Sequence, residues 1–76
     1  MTAYVLEYGW ILIGKETGRT ADTITLSDAS VVRRWNNGKG IGGIAKKANK
    51  SEYTLDAIGG VVICTAKVLF EIPCEW

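Results

Sequence analysis

The chain has 76 residues, contains no histidine, and has only two cysteines, Cys64 and Cys74. A structural zinc site needs four nitrogen or sulfur ligands, so we expect no metal site within one subunit. Two cysteines are also far too few for the disulfide scaffold of a small secreted protein. We therefore expect free thiols and a reducing, cytoplasmic environment; the sequence leaves open whether the two thiols touch.

Long apolar runs are also lacking. No apolar run is longer than the four residues of Trp10–Ile13, which is much shorter than the ~20 residues that cross a bilayer as a helix. A signal peptide requires a basic region before its apolar segment. No basic region precedes the first apolar residues of this chain. We expect a protein that neither enters nor binds a membrane.

Residue combinations that support catalysis are missing as well. No histidine is available, and neither cysteine has a basic neighbour in the sequence. Asp22, Asp28 and Asp56 fall in predicted turns or connections, where aspartate usually accepts hydrogen bonds from backbone amides. No nucleophile–base or paired acid–base set is recognisable. We expect a protein that is not an enzyme and that uses no cofactor.

The apolar content is high for so short a chain. Hydrophobic residues make up 47% of it, and there are three tryptophans. A chain of this size buries only about 60% of the surface that its unfolded form exposes. Small chains commonly compensate for such a small core by self-association. We expect a homo-oligomer.

Short alternating segments dominate the rest of the sequence. The predicted strands are residues 3–14, 23–26, 30–35, 61–64 and 67–73. Alternation in the second of these predicts that Ile24 and Leu26 point inward. Apolar residues at spacings of three and four predict one short helix over residues 41–48. The order β-β-β-α-β-β predicts the α+β class: a small, mostly antiparallel sheet or partly open barrel of about five strands with one helix, in a single domain, 1–76.

Positive charge is concentrated in residues 33–50, the basic block. The basic block contains six basic side chains, four glycines and no acid, whereas the other residues hold three basic groups and all eight acids. Such segregation favours an anionic ligand or partner. The overall pI near 7.7 argues against a nucleic-acid track, which needs a more basic domain.

Within the basic block we predict a ligand-binding set. It comprises Arg33, Arg34, Trp35, Lys39, Gly40, Gly42 and Gly43. The cationic side chains would bind phosphate, the tryptophan would stack on a base, and the amides near the glycines would allow close approach at a helix start.

Ordinary structural roles for the same residues remain open. Strict strand alternation places Arg33 and Arg34 on opposite faces, so one of them would simply be solvated. Trp35 suits a core or subunit interface equally well, and the glycines suit a tight turn.

The order of four motifs resembles a family of small uncharacterised phage and prophage proteins. The motifs are a first strand containing GW, then ITLSDASVVRRW, GIGGIAKKA and a closing EIPC. The resemblance covers residues 23–48 and 67–74. It implies a phage accessory protein in the cytoplasm of an infected bacterium, without assigning an activity to any position.

Two functional classes follow for such a protein. The first is an oligomeric anti-defence protein that sequesters an anionic small molecule, such as a cyclic nucleotide immune signal. The second is an inhibitor or structural protein whose basic block binds an acidic protein partner. Nucleic-acid binding is a third and weaker interpretation.

Overall fold

Five β-strands form one antiparallel sheet in the computed structural model, which describes all 76 residues. The strands are β1 (Thr2–Leu6), β2 (Ile11–Arg19), β3 (Thr23–Trp35), β4 (Tyr53–Cys64) and β5 (Val68–Pro73). Their order in the sheet is β4-β3-β2-β1-β5, so the last strand returns to pair with the first. The predicted five-stranded antiparallel sheet is confirmed. The sheet is not closed into a barrel, because β4 and β5 each have one neighbour only.

The predicted helix over residues 41–48 is not present. Two short 3₁₀ segments, Ile41–Ala45 and Lys47–Glu52, occupy this region instead. Lys46, with φ −90° and ψ 125°, is extended and separates them. Gly42 and Gly43 weaken α-helical structure by about 1 kcal/mol each, and the helical periodicity does not compensate for this. None of the helical segments is long and apolar enough to cross a membrane.

The predicted first strand, residues 3–14, is in fact a hairpin of β1 and β2. Tyr8 (φ 62°, ψ 23°) and Gly9 (φ 78°) both adopt the left-handed conformation and reverse the chain between the strands. This is the backbone of a type I′ turn, for which Asn-Gly is the usual sequence signal. Tyrosine at the first position gives no such signal, so the turn was missed.

Strand β3 joins two segments that were predicted as separate strands. The register with β4 shifts between Leu26 and Ala29, and Asp28 has a positive φ of 49°. A bulge of this kind bends a strand without ending it. Gly14 on β2 lies against the bend, where an added Cβ would lie 3.1 Å from the Cβ of Ala29.

The bent sheet packs its apolar side chains into two clusters. One cluster contains the buried residues Tyr4, Leu12, Ile24, Leu26, Ala29 and Ile63, which confirms that Ile24 and Leu26 point inward. The other contains Ala3, Ile13, Val32, Ile44 and Tyr53. Ile44 belongs to the segment between β3 and β4, so residues of the basic block cover this second cluster.

Candidate functional site

A bulge near the end of β3 places both arginines of the basic block at one surface. Val32 lies opposite Leu55 on β4, whereas Arg34 lies opposite Thr54, so Arg33 is an extra residue in the register. Arg33 and Arg34 line a shallow depression together with Thr54 and Asp56. We call these four residues the arginine depression. The prediction that the two arginines lie on opposite faces is wrong, because the bulge breaks the alternation on which it was based.

The two arginines differ in their partners. The Arg33 guanidinium lies 3.0 Å from a carboxylate oxygen of Asp56, and both side chains are more than half exposed. An exposed pair of this kind contributes at most about 1 kcal/mol, so an anionic ligand can compete with Asp56 for Arg33. Arg34 is exposed and makes no ion pair or side-chain hydrogen bond. It is the cation that remains available at this surface.

Trp35 lies at the border between the core and this surface. Its ring is half-buried against the second apolar cluster and is tilted by 40° against the ring of Tyr53, with 5.8 Å between the centroids. It also lines a neighbouring depression with Arg34, Thr54 and residues of the following turn. The core role of Trp35 is therefore shown, and one part of its surface remains available beside Arg34.

Lys39 does not project freely toward a ligand. Its ammonium group lies 2.9 Å and 3.1 Å from the carboxylate oxygens of Glu52 and 3.0 Å from the side-chain oxygen of Asn49. Asn37 donates a further hydrogen bond to the same carboxylate. The ammonium of Lys39, followed by the amide of Asn37, holds the pKa of Glu52 below its ordinary value. Lys39 stabilises the loop by closing it.

The other lysines near the loop are partly engaged by the tail that follows β5. Lys46 lies 3.8 Å from a carboxylate oxygen of Glu75, and the Lys50 ammonium lies 4.7 Å from the ring centroid of Trp76. The indole of Trp76 in turn donates a hydrogen bond of 2.8 Å to the Ile44 carbonyl. Three of the six cations of the basic block, Arg33, Lys39 and Lys46, are therefore paired in space with acids from outside it.

The three glycines of the predicted set have different surroundings. Gly40, with φ 67°, is left-handed, and its carbonyl accepts a hydrogen bond from the hydroxyl of Tyr53. An added Cβ on Gly43 would lie 2.6 Å from the same hydroxyl oxygen, whereas one on Gly42 would meet no atom within 4 Å. Two of the glycines thus fit the loop around Tyr53. The 3₁₀ segment that follows Gly40 has only five residues, which is too short for a helix N-terminal anion site.

The sequence did not indicate the acidic and hydroxyl groups that complete the site. Thr54 and Asp56 lie outside the predicted strands, but in the structure they are on β4 directly beside the arginines. No sequence pattern near residue 54 marks this role, because pairing between β3 and β4 brings together residues about twenty positions apart.

A second polar cluster lies on strands away from the arginine depression. The Tyr4 hydroxyl donates a hydrogen bond of 2.9 Å to Glu16, and Arg19 bridges Glu16 and Glu71 at 2.8 Å and 2.7 Å. Burial, together with the hydrogen bond to Glu16, raises the pKa of Tyr4 to about 12. The Arg19 guanidinium, and then the Tyr4 hydroxyl, lower the pKa of Glu16. All of these groups are paired with one another, so the cluster ties β1, β2 and β5 together.

Metal ligands are not clustered anywhere in the structure: no three Cys, Asp or Glu side chains come close enough to hold an ion. Both cysteines are free.

Comparison with known proteins identifies no matching family profile, no similar curated protein and no similar solved structure. The resemblance to phage proteins stays a prediction from the four sequence motifs.

Proposed function

We propose that the protein is an oligomeric phage accessory protein that binds an anionic small molecule at the arginine depression. The observation that carries this proposal is Arg34, an exposed guanidinium without a protein partner, next to a second guanidinium held only by an exposed carboxylate. A guanidinium presents several N–H donors in a planar fork that matches phosphate oxygens.

The surrounding groups suit a phosphate-bearing ligand. Thr54 offers a hydroxyl in the depression, and Asn36 and Asn37 lie beside Arg34 in the adjoining one. The exposed part of Trp35 offers an apolar surface to a base. In this arrangement Arg34 binds a phosphate, Arg33 exchanges Asp56 for the ligand, and Trp35 contacts the base.

The predicted phage setting indicates the class of ligand. A host-derived nucleotide immune signal is an anionic small molecule with a planar base, and its sequestration would act against host defence. We propose this role, in the cytoplasm of the infected cell, for the whole protein. Lys39, Gly40 and Gly43 shape the loop beside the site and make no direct contact with the ligand, and Gly42 is not needed for either role.

An acidic protein partner is the second candidate. The arginine depression is open and shallow, and it includes a carboxylate of its own, which also suits a broad protein surface. Nucleic acid is less well supported, because three of the four lysines of the basic block contact Glu52, Glu75 or Trp76. A continuous basic track is thereby interrupted.

Calorimetric titration with cyclic dinucleotides, cyclic trinucleotides and ADP-ribose derivatives tests the proposal. Arg34→Ala should abolish the binding of the ligand that the wild type binds. Lys15→Ala is the matched control, because Lys15 is also exposed and forms no ion pair, and it should bind as the wild type does. Equal affinity of the wild type and Arg34→Ala would contradict the proposed site. If none of these compounds binds, and an acidic host protein is captured in an Arg34-dependent manner, the second candidate replaces the first.

A further inference from the structure

The two edges of the sheet are not equally protected. Strand β5 is short, carries an extra residue at Leu69 in its register with β1, and ends at Pro73. Short length, a bulge and proline are features that prevent edge strands from pairing with other chains. Strand β4 has twelve residues, and its final part, residues 61–64, pairs regularly with β3. A bulge interrupts β4 at Ile58 and Gly59, but the edge of residues 61–64 is free and carries neither a bulge nor a proline.

The unprotected edge is also uncharged and apolar. Residues 57–66 (AIGGVVICTA) contain no charged side chain. Within residues 61–64, Val62 is 61% exposed and stands on the open face beside Thr25. An exposed edge that is uncharged and rich in β-branched residues readily pairs with a further strand.

A second copy of the same strand fits this edge. When identical antiparallel strands are related by a two-fold axis, one residue lies opposite itself, and apolar residues on either side meet apolar residues. With the axis at Val62, the exposed valine side chains of the two copies form a cross-strand pair.

No charged side chain opposes this pairing. The first charged residue before the uncharged run, Asp56, is paired with Arg33, and the first after it, Lys67, is paired with Glu7.

The size of the core gives an independent reason for a partner. Only 12 of the 76 residues are buried, and several large apolar side chains are exposed. Small domains with so little buried surface commonly depend on association for stability.

We propose that the protein forms a two-fold symmetric dimer by antiparallel pairing of β4 with β4 of a second copy, centred on Val62. This inference rests on the oligomeric state in the proposed function and names the strand that forms the interface between the copies. It involves no residue of the arginine depression.

Charge substitutions at Val62 test the interface. Val62→Lys places two lysines opposite each other, and Val62→Glu places two glutamates, so each variant alone should dimerise at least about tenfold more weakly than the wild type. An equimolar mixture should form a heterodimer, because the opposite charges then face each other. Sedimentation equilibrium measures each case. Leu69→Lys is the matched control, since Leu69 is 63% exposed on the other edge strand, and it should leave dimerisation unchanged.

Cross-linking gives a second test that does not require the charged variants to fold. Residues opposite each other in an antiparallel pair have Cα atoms about 4.5–5.5 Å apart, within the range of a disulfide. With both native cysteines replaced by serine, Val62→Cys should therefore form a covalent dimer on oxidation, and Leu69→Cys in the same background should not.

The proposal would be overturned if the wild type were still monomeric at a concentration of about 1 mM. A failure of the Val62→Cys variant to cross-link, or a Lys–Glu mixture no more associated than either variant alone, would also overturn it. Failure of the ligand site is distinguished by the calorimetric comparison of the wild type with Arg34→Ala, which does not depend on these outcomes.

Discussion

The hydroxyl of the buried Tyr4 donates a hydrogen bond of 2.9 Å to Glu16, which also binds Arg19. Because Arg19 reaches Glu71 on β5 as well, this contact links the first strand to the closing strand of the sheet. The pKa of Tyr4 is raised and the pKa of Glu16 is lowered. The network therefore predicts that the stability of the fold depends on pH in both the acidic and the alkaline range.

The acidic limb depends on Glu16. Its pKa is lowered from 4.5 in the folded protein, chiefly by the Arg19 guanidinium, so its contribution is present above the unfolded pKa and is lost as pH falls through the folded one. Glu16→Gln should lower stability at pH 7 and make the decrease below pH 4.5 shallower in urea unfolding. Asp22→Asn is the control, because the Asp22 carboxylate has no ion pair or hydrogen bond. The same pH profile for the wild type and Glu16→Gln would disprove this role.

The alkaline limb depends on Tyr4. Its pKa is raised from 10.0 to about 12 by burial and by Glu16, so its contribution is present below pH 10 and is lost as pH rises through 12. Tyr4→Phe should cost about 1 kcal/mol at pH 7 through the lost hydrogen bond and should reduce the loss of stability between pH 10 and 12. The difference in tyrosinate absorbance between the wild type and Tyr4→Phe isolates Tyr4 from the other two tyrosines, and this difference should develop near pH 12. A difference that develops near pH 10 in the folded protein would contradict the prediction.

Tyr8 occupies a turn position that favours asparagine or glycine. Its backbone is left-handed, at φ 62°, and its side chain is 96% exposed, so no packing offsets the conformational cost of about 1 kcal/mol. Tyr8→Asn should therefore raise the free energy of unfolding by about 1 kcal/mol. Tyr8→Val, a β-branched residue at the same φ, should lower it. Thermal unfolding of the three proteins distinguishes these outcomes, and a less stable Tyr8→Asn variant would show that the tyrosine side chain stabilises the fold.

The elements that sequence reasoning predicted correctly are those set by local alternation. Ile24 and Leu26 follow the period of two and are buried as expected. The hairpin at Tyr8 was missed because its turn lacks the usual residues. The helix over 41–48 was predicted from a periodicity that also suits a 3₁₀ segment covering a core. In each case a local pattern was compatible with two backbones, and contacts distant in sequence select between them.

The site was less predictable than the fold for the same reason. The basic residues were visible in the sequence, but their acidic partners are not. Asp56 follows Arg33 by 23 positions and reaches it only because β4 pairs with β3. The bulge that brings Arg33 and Arg34 to one surface also has no sequence signal. The segregation of charge along the chain therefore indicates where the basic surface lies, but it does not show which of its basic side chains lack an acidic partner.

Two adjacent glycines of the loop should respond differently to substitution. An added Cβ on Gly43 would lie 2.6 Å from the Tyr53 hydroxyl and 2.8 Å from the Lys39 Cβ, whereas Gly42 has open space and no positive φ. Gly43→Ala should cost about 1–3 kcal/mol by overpacking, and Gly42→Ala should be neutral or slightly stabilising. Chemical denaturation measures both. Tyr53→Phe should relieve part of the Gly43→Ala cost, and the absence of any relief would show that Lys39, not the hydroxyl, is the obstacle.

Asp56 is expected to oppose the ligand at the arginine depression. Its carboxylate lies 3.0 Å from the Arg33 guanidinium, so a bound phosphate must displace or tolerate a negative group. Asp56→Asn removes that charge with little change of shape and leaves both arginines available. Its affinity for the anionic ligand should rise by about three- to tenfold, because an exposed charge interaction of this kind is worth about 1 kcal/mol.

The control for this prediction is Glu75→Gln, which removes an equal charge from the tail that contacts Lys46 instead of from the depression. It should leave the affinity nearly unchanged, because Glu75 lines neither of the two depressions and salt weakens the interaction between exposed charges that are not in contact. If Asp56→Asn weakens binding, the carboxylate orients Arg33 for the ligand, and the site recognises a group that also donates hydrogen bonds. Titrations at two salt concentrations distinguish this weaker binding from an effect of net charge alone. An effect of net charge on the affinity diminishes as the salt concentration rises, whereas the loss of an oriented Arg33 does not.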